Sequence, residues 1–414
     1  MRIIYHIVIG LLGLGIRIAS VFHHKAAAWT SGRRHLFENL CRFLASDDRP
    51  VIWFHCASLG EFEQGRPLIE SIHRRYPTHR ILLTFFSPSG YEVRKNYQGA
   101  SYVAYLPLDT PANARRFVDL VNPSAVFFIK YEFWYNFLYR LHRQQIPVFF
   151  ASAVFRPRQV FFQWYGGWFR KHLRMVRHFF VQDKASEQLL RQTGLAEVTH
   201  SGDTRFDRVH LVASKPDRFT SVENLTASRP LLVAGSTWPE DEAILAKIID
   251  HYKGQLFFLI APHEVSEERV MELQRTIPIP SIRFSGLTAS QEQVSDVLVI
   301  DRIGFLAHLY QYAEIAYIGG GFGRGIHNIL EAAAFGKPVL FGPNYLKFRE
   351  ATDLIARGAA FSITSGEEAL AVVNDLLTNR ERYRQCAANC KSYVEEHTGA
   401  TEIILLKFKE IINI

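Results

Sequence analysis

The sequence predicts an α/β chain of two doubly wound parallel-sheet lobes behind an N-terminal apolar helix, and three observations carry that prediction. Short runs of β-branched and aromatic residues alternate with helical stretches from Pro50 onward, a polar tract divides them into two halves, and the first residues form one apolar run. The chain has 414 residues, against roughly 100–200 for a typical domain, so two cores are expected.

Residues 1–24 are expected to be a membrane anchor. MRIIYHIVIGLLGLGIRIASVF is interrupted only by Arg2, His6 and Arg17, and then by His23 and His24. Its length approaches the ~20 residues that span a bilayer. Arg17 lies near one end, where it can snorkel to the headgroups, so spanning the bilayer and lying in its interface both fit. Ala26 to Ala28 offer a weak signal-cleavage site.

The first lobe is expected over residues 25–212. VIWFH, RILLTFF, YVAYLP, AVFFIK, PVFFAS and HFFVQ read as buried parallel strands, and a helix near Glu61 to Arg75, PANARRFVDLVN and FWYNFLYRLHRQQ supply crossovers. Within this lobe FRPRQVFFQWYGGWFRKHLRMVRHFF, residues 155–180, carries six Arg or Lys and no acid. Such a mixture suits an anionic membrane interface, can stack on single-stranded nucleic acid, or can be core on one helix face with Arg on the other. The apolar leader points to membrane and away from nucleic acid.

Residues 213–229, ASKPDRFTSVENLTASR, are polar without a period and are expected to link the lobes. The second lobe, 230–395, repeats the pattern in PLLVAGS, LFFLIAP, VLVID, IAYIGG, PVLFG and AAFSI, and a helix is expected over 396–414. In open α/β sheets ligands bind beyond the carboxyl ends of the strands, and two such lobes can share one ligand across a cleft. Function should therefore sit on strand-to-helix turns.

Composition narrows the chemistry. A formal charge of +8 implies an anionic partner, and 48% hydrophobic against 21% charged residues excludes long disorder. Four cysteines are too few for a disulfide scaffold, and Cys386 and Cys390 read as ordinary helix residues because no second Cys or His pair joins them. No HExxH motif, Cys/His cluster or Asp-x-Asp signature is present, so no metal is expected.

Several turns can carry chemistry. Gly319, Gly320, Gly321, Gly323 and Gly325 precede a helix expected near His327, where backbone amides and the helix N-terminus could hold a phosphate; no Gly-Lys-Ser/Thr follows, which excludes a Walker loop. Asn328 and Glu331 have capping-box spacing, and Glu331 also fits an acceptor for ribose hydroxyls. Ser236 and Thr237, with Glu240 three residues after Thr237, repeat that spacing; capping ranks first there, with the hydroxyls in reach of phosphate as the second reading. Glu61 sits on a first helical turn behind Gly60, where the helix dipole keeps it ionised and fit to accept a hydroxyl proton, while burial would raise its pKa again. Glu132 follows an apolar strand, Arg205 lies in another strand-to-helix region, and His263 reads as a cleft polar residue.

Taken together, HCASLGEFEQGRPLI, KYEFWYNF, GDTRFD, AGSTWPEDE, APHE, DRIGFL, GGGFGRGIHNILEAAAFGKPVLFGP and KFRE resemble, in order and spacing, the bacterial 3-deoxy-D-manno-octulosonic acid (Kdo) transferases, glycosyltransferase family 30 with the two-lobed GT-B fold. The resemblance implies inverting, metal-independent transfer of Kdo from CMP-Kdo to a lipid A precursor, lipid IVA, with no cofactor. It implies Glu61 as proton acceptor and Glu132 and Arg205 as transition-state stabilisers, Arg205 standing where the family commonly has Lys. CMP contacts are implied at Pro262 and His263, at Ile303, Gly304 and Phe305, and at Asn328, Ile329, Leu330 and Glu331. His263 and Phe305 depart from the family pattern, as does Ile326 beside His327. The expected partners are CMP-Kdo, the lipid A precursor and an anionic inner-membrane surface on the cytoplasmic face of a Gram-negative cell, with no nucleic acid. A nucleotide-sugar epimerase of the same fold and a non-enzymatic basic membrane or RNA adaptor are the competing readings.

Overall fold

A computed structural model describes residues 1–226, 229–287 and 295–412. Residues 227–228 of the expected linker and 413–414 of the expected terminal helix lie outside the described residues. The chain divides into two compact units, Met1–Arg208 with Thr398–Ile414, and Val209–His397.

The first unit is built on β1 (Val51–Cys56), β2 (Arg80–Phe85), β3 (Tyr102–Tyr105), β4 (Ala125–Ile129), β5 (Val148–Ala153), β6 (His178–Val181) and β7 (Val198–His200). All neighbours pair parallel in the order β3-β2-β1-β4-β5-β6-β7. The reversal of order beside β1 is the switch point at which such sheets open a crevice. The apolar runs read from the sequence are buried end to end because helices cover both faces. One of those helices arrives from the far end of the chain: Ala400–Ile412 returns to this unit, and Phe408 packs on Phe127 and Phe149 with ring centroids 4.9 and 5.2 Å apart.

The second unit holds β8 (Leu231–Thr237), β9 (Phe257–Pro262), β10 (Ser281–Arg283), β11 (Val297–Val299), β12 (Ile315–Ile318), β13 (Val339–Phe341) and β14 (Ala360–Ser362), parallel in the order β10-β11-β9-β8-β12-β13-β14. Each unit is thus a Rossmann-like layer of helix, sheet and helix, the α/β arrangement of the GT-B type. Two strands carry no sequence signal: β7 and β10 are three-residue edge strands with few buried side chains, too short for a hydrophobic run to mark them.

The helix Arg2–Ala19 is long and apolar enough to cross a membrane by length and composition. One stripe of it is attached to the first unit. The Tyr5 hydroxyl donates to Asp109 Oδ2 at 2.5 Å, His6 Nε2 lies 3.0 Å from Asn136 Oδ1, and Ile9 and Gly13 are buried, a Cβ at Gly13 falling 2.6 Å from Leu108. Spacings of four residues place Tyr5, Ile9 and Gly13 on one face. Asp109 also accepts the N–H groups of Asn136 and Phe137 at 3.0 Å each, capping the helix Tyr135–Arg143. The opposite face leaves Ile4, Ile7, Leu11, Leu14 and Ile18 exposed.

The basic aromatic segment at 155–180 divides between two of its readings. Phe155, Phe161, Leu173, Val176, Phe179 and Phe180 are core, while Trp164 and Tyr165 project from the surface at 91% and 57% exposure.

Candidate active site

Helix Leu59–Arg75 follows β1 after a two-residue turn, with Ser58 as N-cap accepting the Glu61 N–H. Gly65 brings this helix down onto β4: a Cβ there would meet Ile129 Cγ1 at 2.9 Å and Cys56 Sγ at 3.4 Å. The close approach carries Glu61 to the turn after β4, where Lys130, Tyr131 and Glu132 stand. A Cβ at Gly60 would meet nothing within 4 Å, so the ground beside Glu61 is open.

Glu61 is 7% exposed, and Oε2 accepts the Ala57 N–H at 2.5 Å. Burial raises its pKa, against the pull of that N–H and of the Lys130 ammonium. Of the two opposing effects read from the sequence, desolvation outweighs the pull toward the ionised form. Burial, then the neighbouring Glu61 charge, pushes Glu132 up to about 7. Two carboxyls are thus held in one site, both with proton affinities raised by burial.

The sequence reading passed over two residues here. Lys130 adopts a left-handed backbone at φ 71, an uncommon state for a residue with a Cβ, and brings a cation beside Glu61. His55, at the end of β1, is fully buried with Nδ1 2.9 Å from Thr84 Oγ1 and Nε2 4.0 Å from Glu132 Oε2. Only its place in the HCASLGE stretch could have marked it.

Arg205 lies on the turn entering helix Thr204–Ser214, which reaches the Glu61 helix through a hydrogen bond from the Thr204 hydroxyl to the Gln64 carbonyl. Its backbone N–H and Nε donate to Asp203 at 2.9 and 2.8 Å, and a terminal nitrogen lies 2.7 Å from Oδ2. Much of its charge is answered within its own turn.

In the second unit the expected donor residues gather at the carboxyl ends of the adjacent strands β9, β8 and β12. Pro262 closes β9; His263 follows and donates its N–H to the Thr237 carbonyl at 3.0 Å. Its ring stacks between Trp238 and His327, at centroid distances of 4.7 and 4.3 Å, and Trp238 Nε1 donates to His327 Nε2 at 3.1 Å. Burial, then His263, lowers the His327 pKa to about 4, so this slab is uncharged. Ser236 stands at φ 56, like Lys130 a left-handed residue with a side chain.

Three local expectations need correction. The helix after the glycine turn is Leu330–Ala334, five residues beginning after His327, too short for a strong dipole. The Gly319 N–H already donates to the Gly235 carbonyl and the Gly320 N–H to buried Asp241, at 2.9 and 2.8 Å, so these two amides are not phosphate donors. Their lack of side chains serves packing: a Cβ on Gly319 would fall 2.3 Å from the Ser236 carbonyl oxygen, and one on Gly321 2.5 Å from Gly342 N. Finally, the cap expected at Thr237 and Glu240 is shifted by one residue. Trp238 N–H donates to Asp241 at 2.9 Å, while the buried Thr237 hydroxyl donates to Glu242. Pro239 at the first helical position sets that frame.

Asn328 Oδ1 accepts the Leu330 N–H at 3.2 Å, and its amide donates to Glu331 Oε1 at 3.0 Å. Ile329 and Leu330 are wholly buried and can offer a ligand only backbone. Ile303 is exposed, Gly304 has φ 103, and Phe305 packs on Phe219 and Phe284. Among the described residues no group of three or more His, Cys, Asp or Glu is arranged to hold a metal ion.

Residues 34–208 match the family model described as 3-deoxy-D-manno-octulosonic-acid transferase (kdotransferase). A curated 3-deoxy-D-manno-octulosonic acid transferase from Rickettsia felis is 27% identical over 389 residues, 90% of this chain and 82% of that protein. Its counterpart from Bordetella pertussis is 28% identical over 373 residues, 84% of this chain and 85% of that protein. Among solved structures, UDP-GlcNAc 2-epimerase from Neisseria meningitidis, bound to UDP-GlcNAc, superposes with a TM-score of 0.60 at 16% identity, covering 87% of this chain and 99% of that one, a likeness of fold. By the match over its first lobe and by relatives aligned along most of its length, the chain carries a kdotransferase domain and is similar nearly end to end to 3-deoxy-D-manno-octulosonic acid transferases.

Proposed function

We propose that this chain transfers Kdo from CMP-Kdo to a lipid A precursor, lipid IVA, with inversion and without a metal. The observation that carries this reading is the pair Glu61 and Glu132, a buried and a half-buried carboxyl at adjoining strand ends, both raised in pKa by desolvation. Glu61, on open ground beside Gly60, takes the proton of a glucosamine hydroxyl as that oxygen attacks the anomeric carbon of Kdo. The bond from that carbon to the CMP phosphate breaks, and CMP leaves with the electron pair. Glu132 supports the transition state. Arg205 does so as a guanidinium oriented by Asp203, a fixed fork rather than a mobile ammonium.

CMP is assigned to the second unit, at Pro262 and His263, Ile303 to Phe305, and Asn328 to Glu331. The phosphate falls to the Gly321 amide and the Ser236 hydroxyl, neither of which donates a hydrogen bond among the described residues. Glu331, oriented by Asn328, accepts ribose hydroxyls. Glu331→Ala is expected to raise the KM for CMP-Kdo about tenfold, the worth of one hydrogen bond to a charged group, with kcat within a factor of two. Initial rates across donor concentration check this.

Incubating the purified chain with CMP-Kdo and lipid IVA, followed by mass spectrometry of the lipid, tests the whole reading. Added Kdo is the expected result; free CMP without glycosylated lipid, or an epimerised donor, would overturn it.

We further assign the chain to the cytoplasmic face of a Gram-negative inner membrane, with helix Arg2–Ala19 lying in the interface. A helix fastened along one stripe by Tyr5, Ile9 and Gly13 cannot also be encircled by lipid, whereas its other face is free to enter the acyl boundary. Each large aliphatic side chain there contributes roughly 1.5–3 kcal/mol on burial. Ile7→Asp with Leu11→Asp is expected to move the chain from pellet to supernatant when sedimented with phosphatidylglycerol vesicles, with its circular dichroism unchanged.

A further inference from the structure

His55 has no role in the reading above, yet among the described residues it is the fully buried imidazole that faces Glu132. Its Nε2 has no hydrogen-bond partner, a costly state for a polar atom inside a dry lobe. Thr84 determines which ring nitrogen carries the proton. The Thr84 oxygen accepts Trp53 Nε1–H at 2.7 Å, and its hydroxyl hydrogen goes to the Phe54 carbonyl at 3.2 Å. What remains on that oxygen is a lone pair, so His55 Nδ1, 2.9 Å away, is assigned as the donor and Nε2 is left bare.

A bare nitrogen accepts only from a donor. The carboxyl oxygen nearest to it is Glu132 Oε2 at 4.0 Å, a gap that small side-chain movement on substrate binding can close. An ion pair is not what this contact represents, because burial lowers the His55 pKa to about 3 and keeps the ring neutral. The partner must bring the proton.

We propose that His55 is a positioning residue for Glu132: its bare Nε2 accepts the Glu132 carboxyl hydrogen, holding that acid neutral with its second oxygen free for the reacting groups. The proposal rests on the transferase reading, and in particular on the role of Glu132. It sharpens that role from a negative charge to a neutral hydrogen-bonding acid. The other groups facing Glu132 are Glu61 on the neighbouring helix, whose negative charge favours a proton on Glu132, and Lys130 and Tyr131, which share its turn. Arg33 adds positive charge near His55 and helps keep the ring neutral.

The sign follows. If neutral Glu132 is the working form, kcat falls as pH rises through its pKa, about 7. Removing the acceptor of its proton weakens the neutral form, so that alkaline limb must move to lower pH.

The experiment compares pH–rate profiles of the full chain with CMP-Kdo and lipid IVA for His55→Asn, His55→Gln, Glu132→Gln and Glu132→Ala. Asparagine places its amide near Nδ1 and keeps the Thr84 bond but removes the distal atom; glutamine keeps a polar atom near Nε2. Expected are a kcat about 10- to 100-fold lower and a limb moved about one pH unit toward acid in His55→Asn, with glutamine nearer wild type. Glu132→Gln should lose the limb while outperforming Glu132→Ala. Wild-type kcat and limb in His55→Asn, or equal effects of the two His55 variants, would overturn the proposal. Should Glu132→Ala turn over like wild type, the assignment of Glu132 itself fails, a result distinguishable from a failure confined to His55. A thermal melt of each variant separates folding loss from a moved limb, which misfolding alone does not produce.

Discussion

Glu61→Gln is expected to lower kcat for Kdo transfer by about 10³-fold, within the range general base catalysis supplies, while CMP binding stays within a factor of two. Glutamine isolates the chemistry. Its amide oxygen still accepts the Ala57 N–H that Glu61 Oε2 holds at 2.5 Å, so the start of helix Leu59–Arg75 keeps its satisfied donor. What is lost is a lone pair able to hold a proton. Glu61→Ala should lose as much activity and additionally about 1 kcal/mol of stability, because the Ala57 N–H is left without its acceptor. CMP contacts are assigned to residues of the second unit, so calorimetric titration with CMP should not distinguish the variants. Wild-type kcat in Glu61→Gln would remove Glu61 from the reaction.

Asp241→Ala is expected to destabilise the second unit by about 3–5 kcal/mol, the cost of leaving several buried donors without their charged acceptor. Asp241 is wholly buried and accepts from three groups: the Trp238 N–H at 2.9 Å, the Gly320 N–H at 2.8 Å and the Tyr317 hydroxyl at 2.9 Å. These join the end of β8, the end of β12 and the first turn of helix Pro239–Tyr252. Burial raises its pKa, and the three hydrogen bonds pull it back down. Urea unfolding followed by hydrogen exchange at the Gly320 amide should show the second unit opening at lower denaturant, with the β1–β5 amides of the first unit unchanged. Donor KM should rise too, because Trp238 carries the ring stack with His263 and His327.

Asp241 also shows what sequence pattern can and cannot reveal. It lies in AGSTWPEDE beside four other acids or hydroxyls, and spacing alone put the cap at Thr237 and Glu240. Which acid turns inward depends on Tyr317 and Gly320, which are remote along the chain and supply the donors that make burial tolerable. The glycine turn behaved the same way. Its composition announces close backbone approach, but whether that approach serves a phosphate or another strand depends on Gly235, Ser236 and Gly342.

The sequence by itself determined the class of fold, the number of lobes, six of the seven strands in each sheet, and the presence of an apolar leader. Buried parallel strands must be apolar along their whole length, and that is a local property any window of residues displays. Ordered motifs carried the family as well, and with it a short set of side chains to watch. Tertiary structure alone decided what surrounds those side chains: that burial overrides the helix dipole at Glu61, that Asp203 holds Arg205, that the Gly319 and Gly320 amides are taken, and that His55 faces Glu132. Proton affinity and hydrogen-bond capacity are fixed by neighbours within a few ångströms, and in this fold those neighbours come from separate strands, so no stretch of sequence contains them together.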